Sequence, residues 1–233
     1  MTKEFPLEKM DLALFENSGN KQEFSQLKDF LSFLKLYGYP KPFRFSHVET
    51  NGPLIENLSL EENLLLHSNG NDEDSQKANL SKQLEQSGNP HLVSLFNSIS
   101  LKENRPSTVD DESRKALALV KALLQSGDFL FLENPEKFLG KKLLSLFIQA
   151  LVYKSATTGL IVVISTRFKN IWSPHFTKRV FRNEKNIFKV SHYNQSGLDT
   201  LFKIQNAPEA EDEGLLKIVN PNSDDTEENK KAA

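Results

Sequence analysis

The chain has 233 residues, with 29 Lys and Arg against 31 Asp and Glu and a formal net charge of −2 at pH 7. That length can bury one sizeable core, and so even a charge balance supplies no field for nucleic acid or another bulk polyanion. The lack of cysteine excludes a disulfide framework and thiolate metal sites, and it fits a reducing compartment.

No run approaches the roughly 18 apolar residues of a membrane span, and the N-terminus lacks a signal-peptide core. The expected location is cytoplasmic. Charge is uneven along the chain: from Asn206 onward eight acids meet only three lysines. Residues 206–233 therefore read as an acidic, largely disordered tail, and residues 1–205 as one domain.

Residues 10–15, MDLALF, read as a short buried strand. A turn over 16–20 leads into a helix over 21–36, with Phe24, Leu27, Phe30, Leu31 and Leu34 on one face. Residues 43–48 alternate like a strand, and Asn51-Gly52-Pro53 turns the chain. His47 lies in that strand with no second histidine at metal spacing, so it reads as a surface or half-buried residue rather than a ligand. Ser59 and Glu62 form a capping box that opens another helix.

Residues 78–100 carry two helical patches separated by Gly88-Asn89-Pro90. Thr108 then reads as the N-cap of a helix with acids in its first turn. Ala116, Leu117, Val120, Leu123 and Leu124 form the apolar stripe of that helix. The run Phe129-Leu130-Phe131-Leu132 follows, suiting a parallel strand covered on both faces, and it ends in Glu133-Asn134-Pro135. Carboxyl ends of such strands are where open α/β sheets bind ligands.

Residues 138–152 read as an amphipathic helix, 160–164 as the clearest buried strand, and 180–190 as an edge hairpin. Lys169, Lys178, Arg179, Arg182, Lys185 and Lys189 make that end basic. Two readings stand: edge lysines that guard against strand pairing, or a docking face for an acidic partner or lipid headgroups.

This order of elements resembles the ATP-binding cassette (ABC) ATPase domain, a P-loop NTPase fold, over roughly residues 7–190. In that family a signature helix leads into a Walker B strand ending Asp-Glu-Pro, as residues 114–135 do here with Glu133-Asn134-Pro135. Strand, turn, lysine and helix stand where a P-loop stands, and Ser59-Leu60-Glu61-Glu62-Asn63 resembles the start of the family's helical subdomain. The resemblance implies an α/β fold with a mostly parallel sheet flanked by helices, an inserted helical subdomain at about 57–126 and an antiparallel edge hairpin. It also implies ATP with Mg²⁺ as the ligand.

The positions that would touch nucleotide depart from the family's pattern. In the P-loop register G-x-x-x-x-G-K-[ST], residues 15–22 keep only Lys21, with Gly19 and Asn20 before it and Gln22 in place of the Mg²⁺-ligating hydroxyl. Phe15 and Asn20 put side chains where glycines let backbone N–H groups face phosphate. Thr50 falls at the Q-loop glutamine. Asp110, Asp111 and Glu112 occupy the signature motif, where carboxylates would repel a polyphosphate. Glu133 stands for the Walker B aspartate and Asn134 for the catalytic glutamate; an amide accepts no proton at neutral pH, and losing a general base costs about 10²–10⁴ in rate. Either Thr166 or Arg167 stands for the H-loop histidine. The N-terminal strands bearing the family's adenine-stacking aromatic are missing from the alignment.

The expectation is a cassette-like subunit with degenerate motifs, a pseudo-ATPase serving as structural or regulatory partner of a membrane complex. Its partners would be another ABC ATPase subunit, a transmembrane subunit or both, and it would reach the inner face of a membrane only through them. Two alternatives stay open: a weak or asymmetric ATPase completed by a partner cassette, and an interaction scaffold unrelated to transport. No metal site and no nucleic-acid partner are expected, and the sequence leaves the nucleotide undetermined.

Overall fold

The alternation Phe129-Leu130-Phe131-Leu132 dictates the layers. Successive side chains of a strand point to opposite faces, so one face receives phenylalanines and the other leucines. In the computed structural model, which describes residues 5–16, 26–39, 42–66, 80–100, 104–183 and 187–193, all four are buried. They belong to β3 (Phe129–Glu133), which lies between β2 (Phe45–Val48) and β4 (Ile161–Ser165), parallel to both.

β4 pairs in parallel with β1 (Leu12–Glu16), and β1 pairs in parallel with β5 (Lys178–Arg182). β6 (Phe188–His192) closes the edge antiparallel to β5, giving the strand order β2-β3-β4-β1-β5-β6. The expected mostly parallel sheet with an antiparallel edge hairpin is what the chain forms.

On the phenylalanine face, α1 (Gln26–Leu36) packs Phe30, Phe33 and Leu34 against Phe15, Phe129 and Phe131. Phe30 stacks on Phe131 at 4.8 Å and Phe33 meets Phe15 edge-on at 6.5 Å. The apolar stripe is turned from the expected one: Phe33 faces the sheet, while Leu31 is 38% exposed. The reason is aromatic packing, since Phe33 also meets Phe5, Tyr37 and Phe188. Phe24 lies outside the described residues.

The leucine face carries Leu12, Leu14, Leu130, Leu132, Val162 and Ile164. It is covered by a helical layer whose centre is α5 (Asp111–Leu124), buried without a break from Lys115 to Val120 and again at Ala122 and Leu123. α2 (Leu60–Leu65), opened by the expected Ser59–Glu62 capping box, packs on α5. α3 (Leu80–Gln86) joins α2 to α4 (Pro90–Asn97), which packs on α5 and on α6 (Lys141–Thr158). Asn89 caps α4 and also donates its amide to the Ala150 carbonyl of α6 at 2.8 Å. A single-turn helix, α7 (Lys169–Trp172), follows β4.

Two boundaries differ from expectation. Thr108 does not cap α5; it lies in a 3₁₀ turn, Pro106–Thr108, with its hydroxyl on the Arg105 carbonyl. Pro106 opens that turn, which moves the cap to Asp110, whose carboxylate accepts from the Ser113 N–H at 2.7 Å. α6 starts at Lys141 rather than 138, because Phe138 has a left-handed φ of +72° that no helix interior accepts. It then runs past Tyr153 to Thr158, ended by Gly159 at φ +72°.

Candidate functional site

The carboxyl ends of β1, β3 and β4 lie together by register, Glu133 opposite Ser165 and Leu14 opposite Ile164. The loop that follows β2 joins them beside β3. Asn134 continues β3 with a left-handed φ of +41°, a conformation that asparagine tolerates better than most residues. Its N–H donates to the Ser165 carbonyl at 2.8 Å, and its side-chain amide donates to the Thr50 hydroxyl at 3.0 Å. The two residues expected at the catalytic-glutamate and Q-loop places, Asn134 and Thr50, are thus in contact, both neutral.

Glu133 and His47 form the second contact. His47 Nε2 lies 3.1 Å from Glu133 Oε1, both half-buried, and the ring lies over Phe131 at 5.6 Å. A carboxylate only accepts, so the imidazole N–H donates. His47 reads correctly as a half-buried strand residue, but its partner Glu133 was not legible from spacing.

Sequence reasoning missed Lys115 altogether. It lies on α5, fully buried, and its ammonium donates to the Glu49 carbonyl at 2.7 Å and to the Glu133 carbonyl at 3.4 Å. Burial pushes it down from the ordinary lysine value to about 8, the carboxylates of Glu136 and Glu133 pull it back up, and Lys137 lowers it. A signal was present: Lys115, Ala118, Leu119 and Ala122 sit at helical spacing, placing a lysine on an apolar stripe. Gly52 lets the loop after β2 lie on this helix. At φ +59°, a Cβ there would meet Lys115 Cα and Ala118 Cβ at 3.1 Å.

Glu136, also missed, is a buried carboxylate that ties β4 to α7. It accepts from the Thr166 hydroxyl at 2.6 Å and from Trp172 Nε1 at 3.0 Å, and Thr166 in turn accepts from the Phe168 N–H at 2.9 Å. Of the two candidates for the H-loop place, Thr166 is therefore buried in this network and Arg167 is exposed.

At the start of α5 two of the three acids hold backbone N–H groups. Asp110 caps the helix, Glu112 accepts from the Gly140 N–H at 2.7 Å, and Asp111 is exposed. Glu16, at the end of β1, forms ion pairs with Lys169 and Arg179. Gly19, Asn20, Lys21 and Gln22, the P-loop candidates, lie outside the described residues. Among the described residues no three His, Cys, Asp or Glu groups converge as a metal site, and no helix is long and apolar enough to cross a membrane.

No family model matches the chain, and no curated protein matches it. Solved structures do. The chain is similar to the ATP-binding subunit of an ABC transporter, at 13% identity and TM-score 0.59, over 86% of this chain and 85% of that one. It is similar to cbiO1 from Clostridium perfringens, part of the ABC transporter complex cbiONQ, at 13% identity and TM-score 0.57 over 84% and 82%. It is also similar to a dimeric ATP-binding cassette in a post-hydrolysis state bound to ADP and phosphate, at 12% identity and TM-score 0.51 over 79% and 85%. The fold is that of ABC ATPase domains.

A magnesium nucleotide is the ligand this fold implies, and the described donors at the strand ends do not suit it. Mg²⁺ takes carboxylate oxygens and water in near-octahedral array. Here the Glu133 carboxylate holds an imidazole, a buried ammonium donates to the Glu133 backbone carbonyl, and Asn134 holds Thr50.

Proposed function

We propose that this chain is a cassette-type subunit that does not turn over ATP and serves as a structural or regulatory partner in a membrane-associated transport complex. The observation that carries the reading is the Asn134–Thr50 pair at 3.0 Å. At the two places where an ATP-hydrolysing cassette would hold groups that polarise water and sense the γ-phosphate, two neutral side chains hold each other. The His47–Glu133 pair supports the same reading, since it engages the one carboxylate aligned with a metal ligand.

The likeness to ATP-binding subunits of transporters supports partners of that kind: a second cassette, a transmembrane subunit or both. The chain would then work on the cytoplasmic side of a membrane and be held there through those partners. The helices from α2 to α5, within the subdomain expected at about 57–126, would serve as the inserted part that meets them.

Calorimetric titration with Mg-ATP tests the reading, with Lys21→Ala as control. The expected result is no heat at millimolar ATP and no phosphate release. Binding that disappears in Lys21→Ala, with phosphate release in the presence of an intact cassette, would overturn it in favour of an asymmetric ATPase. Copurification with neither a cassette nor a membrane subunit would favour a scaffold unrelated to transport.

A further inference from the structure

Strand alternation sorts the basic side chains at the β5–β6 edge into two sets. Val180, Phe188 and Val190 belong to the phenylalanine-face core, and Arg182 lies with them, paired with Asp29 of α1 at 2.7 Å. Alternation then turns Arg179, Phe181, Lys189 and Ser191 to the opposite face. The helical layer on that side encloses Leu14, Val48, Leu132 and Ile164 of β1 to β4, but no described residue of β5 or β6. Arg179, Lys189 and Ser191 are exposed there.

The charges on this open face are one-sided. Arg179 lies over the Phe181 ring at 4.8 Å, and Lys189 stands opposite Phe181 across the two strands. Lys169 of α7 shares the Glu16 carboxylate with Arg179. Among the described residues of the face, Lys169, Arg179 and Lys189 thus stand against the single acid Glu16. Guarding against strand pairing does not account for them. A guard stands on an edge strand, and of the three only Lys189 does. Arg179 is on β5, which is paired on both sides, and Lys169 is on a helix. Two exposed apolar side chains flank these cations in the chain: Phe168, 55% exposed, precedes Lys169, and Ile187, 51% exposed, lies two residues before Lys189.

We propose that this face binds the surface of an anionic membrane directly, with Lys169, Arg179 and Lys189 at the lipid headgroups and Phe168 and Ile187 at the acyl boundary. The arrangement favours a lipid surface over an acidic protein. Protein interfaces deplete charge at their centre and carry it at the rim. Here the cations hold the middle and the apolar side chains flank them. Such a contact needs neither nucleotide nor a partner subunit, so it and the reading of the chain as a non-hydrolysing cassette can fail separately.

The full chain is sedimented with sucrose-loaded vesicles of phosphatidylcholine, alone or with about a third phosphatidylserine. It should bind the anionic vesicles and not the neutral ones, and be released as salt is raised. Each cation near such a surface contributes about five-fold, and Lys189→Glu counts for two charges, so that variant should bind at least about ten-fold more weakly. Lys35→Glu makes the same change in net charge at an exposed position of α1, on the phenylalanine face, and should bind like wild type. Absence of binding to anionic vesicles would overturn the proposal and leave an acidic protein as the occupant. Equal weakening in the two variants would overturn it too, since net charge and not this face would then be what the vesicles sense.

A second readout needs no loss of charge. The chain has no cysteine, so Ile187→Cys can carry an environment-sensitive fluorophore at one position. Its emission should shift to the blue with anionic vesicles, while the same label at Ser32→Cys on α1 stays unchanged. A shift at neither position, or an equal shift at both, would sink the assignment of this face to the membrane.

Discussion

The phenylalanine face of the sheet and its carboxyl edge, a few ångströms apart on the same strand, are built by different means. Between α1 and β3, Phe15, Phe30, Phe33, Phe129 and Phe131 meet one another through many interchangeable apolar contacts. At the edge, Thr50, Lys115, Glu133, Asn134, Glu136, Thr166 and Trp172 each hold particular partners at hydrogen-bond distance. Apolar contacts depend on period and volume, so a sequence can drift far and keep them, as a shared fold at 13% identity illustrates. Polar contacts depend on single atoms, so a few substitutions are enough to change which groups a strand end holds.

Breaking the apolar side should have the largest effect. Phe131 is fully buried and stacked on Phe30, so Phe131→Ala should cost about 3–5 kcal/mol of unfolding free energy in urea. A loss below about 1 kcal/mol would mean that the aromatic layer is not what holds α1 to the sheet.

At the edge, the sign of a pH effect sharpens the contrast. Lys115 releases its proton near 8 in the fold and near the ordinary 10.5 in the unfolded chain. Between those values the unfolded chain holds more protons, so stability rises with pH across that window, by at most about 3 kcal/mol. Lys115→Met should abolish the rise, as urea denaturation of both proteins at pH 7.5 and pH 10 would reveal. An equal rise in the variant would assign it to another group.

A smaller effect is expected for Trp172→Phe, which keeps most of the ring's volume but withdraws one of the two donors on the buried Glu136 carboxylate. The loss should be about 2 kcal/mol, and a variant as stable as wild type would show that the Glu136 network contributes little. Smallest is Asp110→Ala, about 1 kcal/mol for a lost N-cap, read from thermal unfolding. That result would confirm the capping role of an acid expected at the signature position, whereas an increase in stability would mean that repulsion with Asp111 and Glu112 outweighs it.

The strands and helices were legible because their signals are local and repeated. The run over 129–132, the capping box at Ser59 and Glu62, and the edge hairpin each follow from a period or a pair of neighbouring residues. Where neighbours in space intervened, the reading slipped. Phe33 displaced Leu31 because five other rings meet it, and the start of α6 moved to Lys141 because the chain turns through a left-handed Phe138.

The candidate site divides along the same line. Its places along the chain, at Thr50, Asp110, Glu133, Asn134 and Thr166, follow from the order of elements. Its pairings do not: Asn134 with Thr50 spans 84 residues, His47 with Glu133 spans 86, and Lys115 with Glu49 spans 66. By itself the sequence determined the layered α/β framework, since hydrophobic period acts over a few residues. Only the tertiary structure decided which polar groups hold one another at the strand ends, because hydrogen bonds form between atoms that the chain's folding, and not its order, brings within 3 Å.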